Sequence, residues 1–138
     1  MRKPWVLILV VLLAGWLTAC GGAPQKSLGA KETAEAFLKA MEERDLAAAY
    51  ALLSPDSQAT IPAEQFREIV EKAWKDTYIA GFHVESVHDA VLTAGGTRAS
   101  VPYAASLTTV DGSRTVIYNA LSLVKVNERW GVIWPPVR

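Results

Sequence analysis

The chain is poor in the residues that staple small folds: it has one cysteine and two histidines. A single cysteine excludes an internal disulfide. The histidines, His83 and His88, sit five apart on an expected strand, an odd spacing that puts them on opposite faces. A shared metal site would require a bulge, and neither a metal nor a cofactor is expected. An excess of charge of one sign is also missing. The 14 basic and 14 acidic side chains balance, and a mature chain without Arg2 and Lys3 would carry a formal net charge of −2. That leaves no electrostatic footprint for nucleic acid and no help in binding an anionic membrane. No repeat or long low-complexity segment is present. The longest uninterrupted apolar run, Trp5 to Leu17, falls short of the ~20 residues that span a bilayer.

That short run has its own meaning. It follows Met1-Arg2-Lys3-Pro4 with no charge inside it, the layout of an export signal. It ends in Leu17-Thr18-Ala19-Cys20-Gly21, and small residues before a cysteine resemble the lipobox of bacterial lipoproteins. In that class the signal is cut before the cysteine, whose sulfur takes a diacylglycerol. The resemblance implies a signal peptide over residues 1–19 and a lipidated Cys20 that holds the protein at the extracytoplasmic face of a cell membrane. One acyl chain anchors only marginally, at ~0.8 kcal/mol per buried methylene, and the lipoprotein modification supplies at least two. Gly21 to Gly29 is rich in Gly and Pro without periodicity, so residues 20–29 read as lipidated cysteine and flexible tether. Nine extended residues reach at most ~30 Å, which keeps the following domain close to the membrane.

Residues 30–138 suffice for one domain with a modest core. Its first half is helical by period. Ala34, Phe37, Leu38 and Met41 fall at i, i+3, i+4 and i+7, with Lys31, Glu32, Glu35, Lys39 and Glu42 opposite. Leu46, Ala49, Tyr50 and Leu53 repeat the spacing after Glu43-Arg44-Asp45. Ser54-Pro55-Asp56-Ser57 then reads as a break. A third helix is expected to open at Thr60-Ile61-Pro62, with Phe66, Ile69, Val70 and Ala73 as its stripe. After Asp76 β-branched and aromatic residues take over. Turn signals recur at Ala94-Gly95-Gly96-Thr97, Val110-Asp111-Gly112-Ser113 and Asn127-Glu128. They delimit four antiparallel strands, about Gly81–Leu92, Arg98–Val110, Arg114–Val126 and Trp130–Trp134. Three helices packed on one face of a four-stranded meander make an α+β domain.

This order resembles the nuclear-transport-factor-2-like fold, a helical layer over a strongly curved sheet that together form a cone. The nearer resemblance is to the N-terminal, non-catalytic domain of methicillin-resistance type penicillin-binding proteins. Ala34–Tyr50 is similar to that family's opening helix and Asp-Leu-…-Ala-Tyr segment. Leu52-Leu53-Ser54-Pro55-Asp56-Ser57 and Ile61-Pro62-Ala63-Glu64-Gln65-Phe66 are similar to its Leu-Leu-Ser…Ser…Ile…Glu-x-Phe pattern. Trp130-Gly131-Val132-Ile133-Trp134-Pro135-Pro136 is similar to its closing Trp-x-Val-x-Trp-x-Pro. In the family a transpeptidase domain follows, whereas this chain stops at Arg138. The resemblance therefore implies a fold and a place of work at the cell envelope rather than an activity.

Candidate chemistry is sparse. Ser122-Leu123-Val124-Lys125 matches the Ser-x-x-Lys of penicillin-binding enzymes, but on a strand residues three apart point to opposite faces. His83 and Glu85 share a strand face about 6.6 Å apart and could form an acid–base pair in a cone pocket. Tyr103, Tyr118, Trp130 and Trp134 are strand aromatics that suit core packing or the wall of an apolar pocket. The strand from Arg114 is apolar on both faces, with Val116, Tyr118 and Ala120 on one and Ile117, Leu121 and Leu123 on the other. A sheet with one wet face alternates cleanly, so a homodimer through the sheet is expected. The favoured expectation is a non-enzymatic module that binds or positions an envelope or cell-wall protein. The alternative is a small-ligand-binding protein or enzyme using the cone pocket. Metabolic labelling with a fatty acid should mark the wild-type protein and leave Cys20→Ala unlabelled; label persisting on the variant would contradict the anchor.

Overall fold

The computed structural model describes residues 28–135, apart from the side chain of Ala94. The signal, Cys20 and the tether up to Ser27 lie outside the described residues. Four helices come first: α1 (Ala30–Glu42), α2 (Leu46–Ala51), α3 (Pro55–Thr60) and α4 (Ala63–Asp76). Five strands follow: β1 (Ile79–Val87), β2 (Val91–Thr93), β3 (Arg98–Thr109), β4 (Arg114–Val126) and β5 (Arg129–Val132). No described helix is long and apolar enough to cross a membrane.

The extra helix is α3, where the sequence reads as a break. Proline disfavours helix at the residue before it, yet it suits the first helical turn. Pro55 takes that position, and the Ser54 hydroxyl caps the turn by accepting from the Ser57 N–H at 3.3 Å. The expected third helix therefore starts late, at Ala63, because Thr60 closes α3 and the residue before Pro62, Ile61, is extended.

All strand pairings are antiparallel, in the order β1-β3-β4-β5, with β2 also on β3. The expected strand Gly81–Leu92 is split into β1 and β2. Pro102 of β3 accounts for the interruption, since it has no N–H to give to a neighbouring strand. Its carbonyl accepts from the His88 N–H at 2.9 Å, and the chain leaves the ladder from His88 to Ala90. Two register shifts in β1, between Ile79 and Gly81 and between Val84 and Ser86, add to the curl of the sheet. The turns lie where expected. Gly112 has φ 86°, and Asn127 and Glu128 have φ 50° and 63°, the left-handed pair that a two-residue hairpin requires.

The helices close over the inner face of the sheet. Ala34, Phe37 and Leu38 of α1 and Phe66 and Val70 of α4 are buried with Val101, Leu121, Leu123 and Val132. Phe66 is sandwiched by aromatics, Tyr50 at 5.7 Å and Trp134 edge-on at 5.1 Å. The two layers are joined where α2 passes into α3. The Ser54 N–H donates to the Val132 carbonyl at 2.8 Å, and the Val132 N–H donates to the Leu52 carbonyl at 2.9 Å. The Ser57 hydroxyl accepts from the Trp134 N–H at 2.9 Å and from the Ser54 hydroxyl at 2.9 Å. Gly131 permits this approach, because a Cβ there would stand 2.5 Å from the Ser54 Cα. Gly131→Ala should lower stability by about 1–3 kcal/mol, the usual cost of forcing a methyl into packed structure. A urea melt measures it, and an unchanged midpoint would mean that the junction yields freely.

Candidate functional site

Between the helical layer and the sheet lies an apolar cleft of ≈330 Å³. Phe37, Leu38 and Met41 of α1 form one wall, and the end of α4 contributes Ala73 and Trp74, with Thr77 just beyond. Phe82, Tyr103, Leu107, Ile117, Asn119 and Leu121 of the sheet form another wall, and Val132, Ile133 and Trp134 line the β5 side. Among the described residues no charged side chain lines it. Its polar groups among the described residues are few: the Tyr103 phenol, the Asn119 amide, the Thr77 hydroxyl and the indole nitrogens of Trp74 and Trp134. This is the usual make-up of a small-molecule site, mostly apolar with a few placed polar groups.

Hairpin register brings the polar pair together. Tyr103 of β3 and Asn119 of β4 are directly opposed, so their Cβ atoms lie about 4.5–5.5 Å apart on the cleft face. Burial raises the Tyr103 pKa above its ordinary value, so the phenol is protonated at neutral pH. The Asn119 Oδ1 accepts from the Ala120 N–H at 2.8 Å.

Of the six residues singled out by sequence, Tyr103 and Trp134 line the cleft and four do not. Tyr118 is on the opposite, outer face of the sheet and 82% exposed. Trp130 pairs with Lys125 across β4–β5, the Lys125 ammonium standing 6.0 Å from its ring centroid, and faces the α2–α3 connection. His83 and Glu85 are exposed and bind separate partners. The Glu42 carboxylate lies 2.8 Å from the His83 Nδ1 and accepts from the Val84 N–H at 3.0 Å. Glu85 pairs with Arg114. The register shift after Val84 and these distant charges disrupt the expected acid–base pair. Asn119, Ile117 and Leu107 went unnoticed in the sequence, although counting back along the hairpin from its Asp111-Gly112 turn pairs Asn119 with Tyr103. Ser122 and Lys125 are strand residues of β4, as their pattern implies. The Ser122 carbonyl accepts from the Ile133 N–H, and Lys125 pairs with Glu128 at 3.2 Å. His88 is exposed, its Nε2 3.4 Å from the Ser86 hydroxyl. Among the described residues no group of acidic, histidine or cysteine side chains could hold a metal ion.

The family model for the NTF2-like N-terminal transpeptidase domain matches residues 29–137. The chain belongs to this family. No curated protein matches this NTF2-like domain in sequence. Solved structures share its fold at low identity. TerC co-crystallised with polyporic acid has a TM-score of 0.53 at 15% identity, over 74% of this chain and 88% of that one. A Xanthomonas campestris protein provisionally assigned as a polyketide cyclase has a TM-score of 0.54 at 15% identity, over 74% and 84%. A Novosphingobium aromaticivorans protein provisionally assigned as an aromatic ring hydroxylase has a TM-score of 0.51 at 13% identity, over 72% and 78%. These neighbours correct the expectation of a module without catalysis. Proteins assigned as enzymes share the fold, and the lack of a recognisable catalytic motif does not make this NTF2-like domain a non-enzyme. At such identities the likeness itself shows the fold alone.

The Glu42 contacts generate a pH prediction. The Val84 N–H, and then His83, hold the Glu42 carboxyl below its usual 4.5. A lowered folded-state pKa means stability that is present above the unfolded value and lost as pH falls through the folded one. Glu42→Gln should therefore flatten the loss of stability below about pH 4.5 and lower stability at neutral pH. Denaturation midpoints from pH 2 to 7 test this, and identical profiles for both proteins would refute it.

Proposed function

We propose that this NTF2-like domain is an extracytoplasmic module, held at the membrane by lipidated Cys20, whose cone cleft binds a small, uncharged, largely apolar ligand. The observation that carries the reading is the ≈330 Å³ cleft, whose lining among the described residues has no charged side chain. Burying a charged ligand there would leave its charge without a partner, a cost of several kcal/mol. Aromatic walls at Phe37, Trp74, Phe82 and Trp134 favour a flat or ring-bearing molecule, because aromatic pairs add about 0.5–1.5 kcal/mol to area burial. Arg44 stays outside this lining and has partners of its own: its guanidinium lies 4.9 Å from the Trp74 ring centroid and donates to the Ala80 carbonyl at 3.0 Å. TerC, which shares the fold, was co-crystallised with polyporic acid, which supports a ligand role for the fold.

The anchor part rests on the run from Trp5 to Leu17 and the small residues before Cys20. All the buried core residues of the described region lie between Ala30 and Val132, so the domain should fold without the signal or the lipid. The ligand part is tested with N-phenyl-1-naphthylamine, a neutral apolar fluorophore. The chain from Cys20, carrying Cys20→Ser, should bind it saturably. Ile117→Trp, which fills the cleft from β4, should reduce affinity at least about tenfold while retaining a cooperative melt. Equal binding by both proteins would place the fluorophore elsewhere and refute the reading.

A further inference from the structure

The edges of the sheet are not treated alike. At the β1 edge, α1 and the residues after it supply side-chain partners. The Glu42 carboxylate accepts from the Val84 N–H at 3.0 Å, and the Arg44 guanidinium donates to the Ala80 carbonyl at 3.0 Å. β2 is only three residues long. The outer edge of β5 is taken by the α2–α3 connection, where the Leu52 carbonyl and the Ser54 N–H both bond Val132. Blocking side chains and short strands are how sheets protect their edges.

The far side of β4 has no such cover among the described residues. β5 pairs with β4 only from Leu123 to Val126, and the bond from the Ile133 N–H to the Ser122 carbonyl ends the contact. From Arg114 to Leu121, β4 pairs with β3 alone. The Ser122 carbonyl points away from β3, and every second residue of a strand turns its backbone groups the same way. The register with β3 runs unbroken from Arg98–Val124 to Thr108–Arg114. Ala120, Tyr118 and Val116 therefore also turn their N–H and C=O groups outward. The Asn119 Oδ1 takes the Ala120 N–H at 2.8 Å. Among the described residues nothing pairs with the backbone of Val116 or Tyr118 on this side, and both side chains are exposed. Such a row of unpaired groups is a template for another strand.

We propose that this edge receives β4 of a second copy, with Arg114–Ala120 antiparallel to itself about a two-fold axis at Ile117. The segment is complementary to itself. Val116 falls opposite the partner's Tyr118, each with its N–H and C=O turned to the other, so a hydrogen-bonded pair stands on either side of the axis. Aromatic and β-branched side chains make a favourable cross-strand pair. The one charge of the segment, Arg114, falls opposite the partner's Ala120, at the end away from the partner's Arg114, and is already paired with Glu85. A two-fold contact is closed, and with Glu42 and Arg44 on the β1 edge the joined sheet ends at two copies. The dimer expected from the sequence used the face of this strand; here its edge is used. The pairing is independent of what the cleft binds.

The chain from Cys20 carrying Cys20→Ser tests this in solution. Sedimentation equilibrium up to about 1 mM protein, the scale of a weak contact, should show monomer and dimer in exchange. The Val116 and Tyr118 amides should exchange with deuterated solvent several-fold more slowly in concentrated than in dilute protein, because the pairing gives them acceptors. Val116→Pro removes an outward N–H and no bond to β3, and Tyr118→Lys brings a cation of each copy towards the axis. Each should weaken self-association at least about tenfold and keep a cooperative melt; Tyr118→Lys decides alone if Val116→Pro does not fold. A monomer at every concentration would overturn the proposal, and so would undiminished association of Tyr118→Lys. A dimer whose Val116 and Tyr118 amides exchange as fast as those of the monomer would also overturn it, because the second copy would then not sit at this edge.

Discussion

The hydrogen bonds around Ser57 set where the helical layer can stand on the sheet. Its buried hydroxyl accepts from the Trp134 N–H, while Ser54 pairs its own N–H with the Val132 carbonyl on the other side of Ile133. Each neutral bond contributes only about 0.5–1.5 kcal/mol net, but a buried N–H or hydroxyl left unpaired costs about 1–3 kcal/mol. The chain is thus confined to one relation between α3 and β5. In that relation Trp134 meets the edge of Phe66 and also forms part of the cleft wall. The last helical connection and the last strand are locked together, so α1 and α4 must arch over the sheet, and the cleft is the space between them.

Among the described residues charge is arranged around this space and not in its lining. The pairs Glu42–His83 and Glu85–Arg114 are on exposed parts of the sheet and its helical rim, and Arg44 stands 4.9 Å from the Trp74 ring centroid. Exposed pairs of this kind contribute little to stability. Among the described residues the cleft lining carries no charge, and in such an apolar place a hydrogen bond is electrostatically stronger than in water.

Helices α1 and α4 could be read from a 3.6-residue period, and the β3–β4 and β4–β5 turns from Asp111-Gly112 and Asn127-Glu128. The family patterns also point to the right fold, and the structure shows why they coincide: Leu52–Ser57 and Trp130–Trp134 are the two sides of one junction. What was not legible depended on partners far along the chain. Ser54-Pro55 marks a helix start as readily as a break, and the choice is made when Ser57 meets Trp134. Pro102 breaks the strand beside it, an effect seen only once β1 and β2 are known to be its neighbours. His83 and Glu85 look like a pair by strand spacing, yet Glu42 and Arg114, 41 and 29 residues away, claim them. For the cleft, aromatic character along the strands found Tyr103 and Trp134, and only cross-strand register could add Asn119.

The central claim is that an open, apolar, uncharged space exists between α1, α4 and the sheet. Xenon pressurisation of a crystal of the domain tests it most directly, because xenon enters apolar cavities that water leaves empty. The account predicts xenon bound between Trp134, Leu107 and Ile117. Side chains closed into that space, with no xenon there, would contradict it.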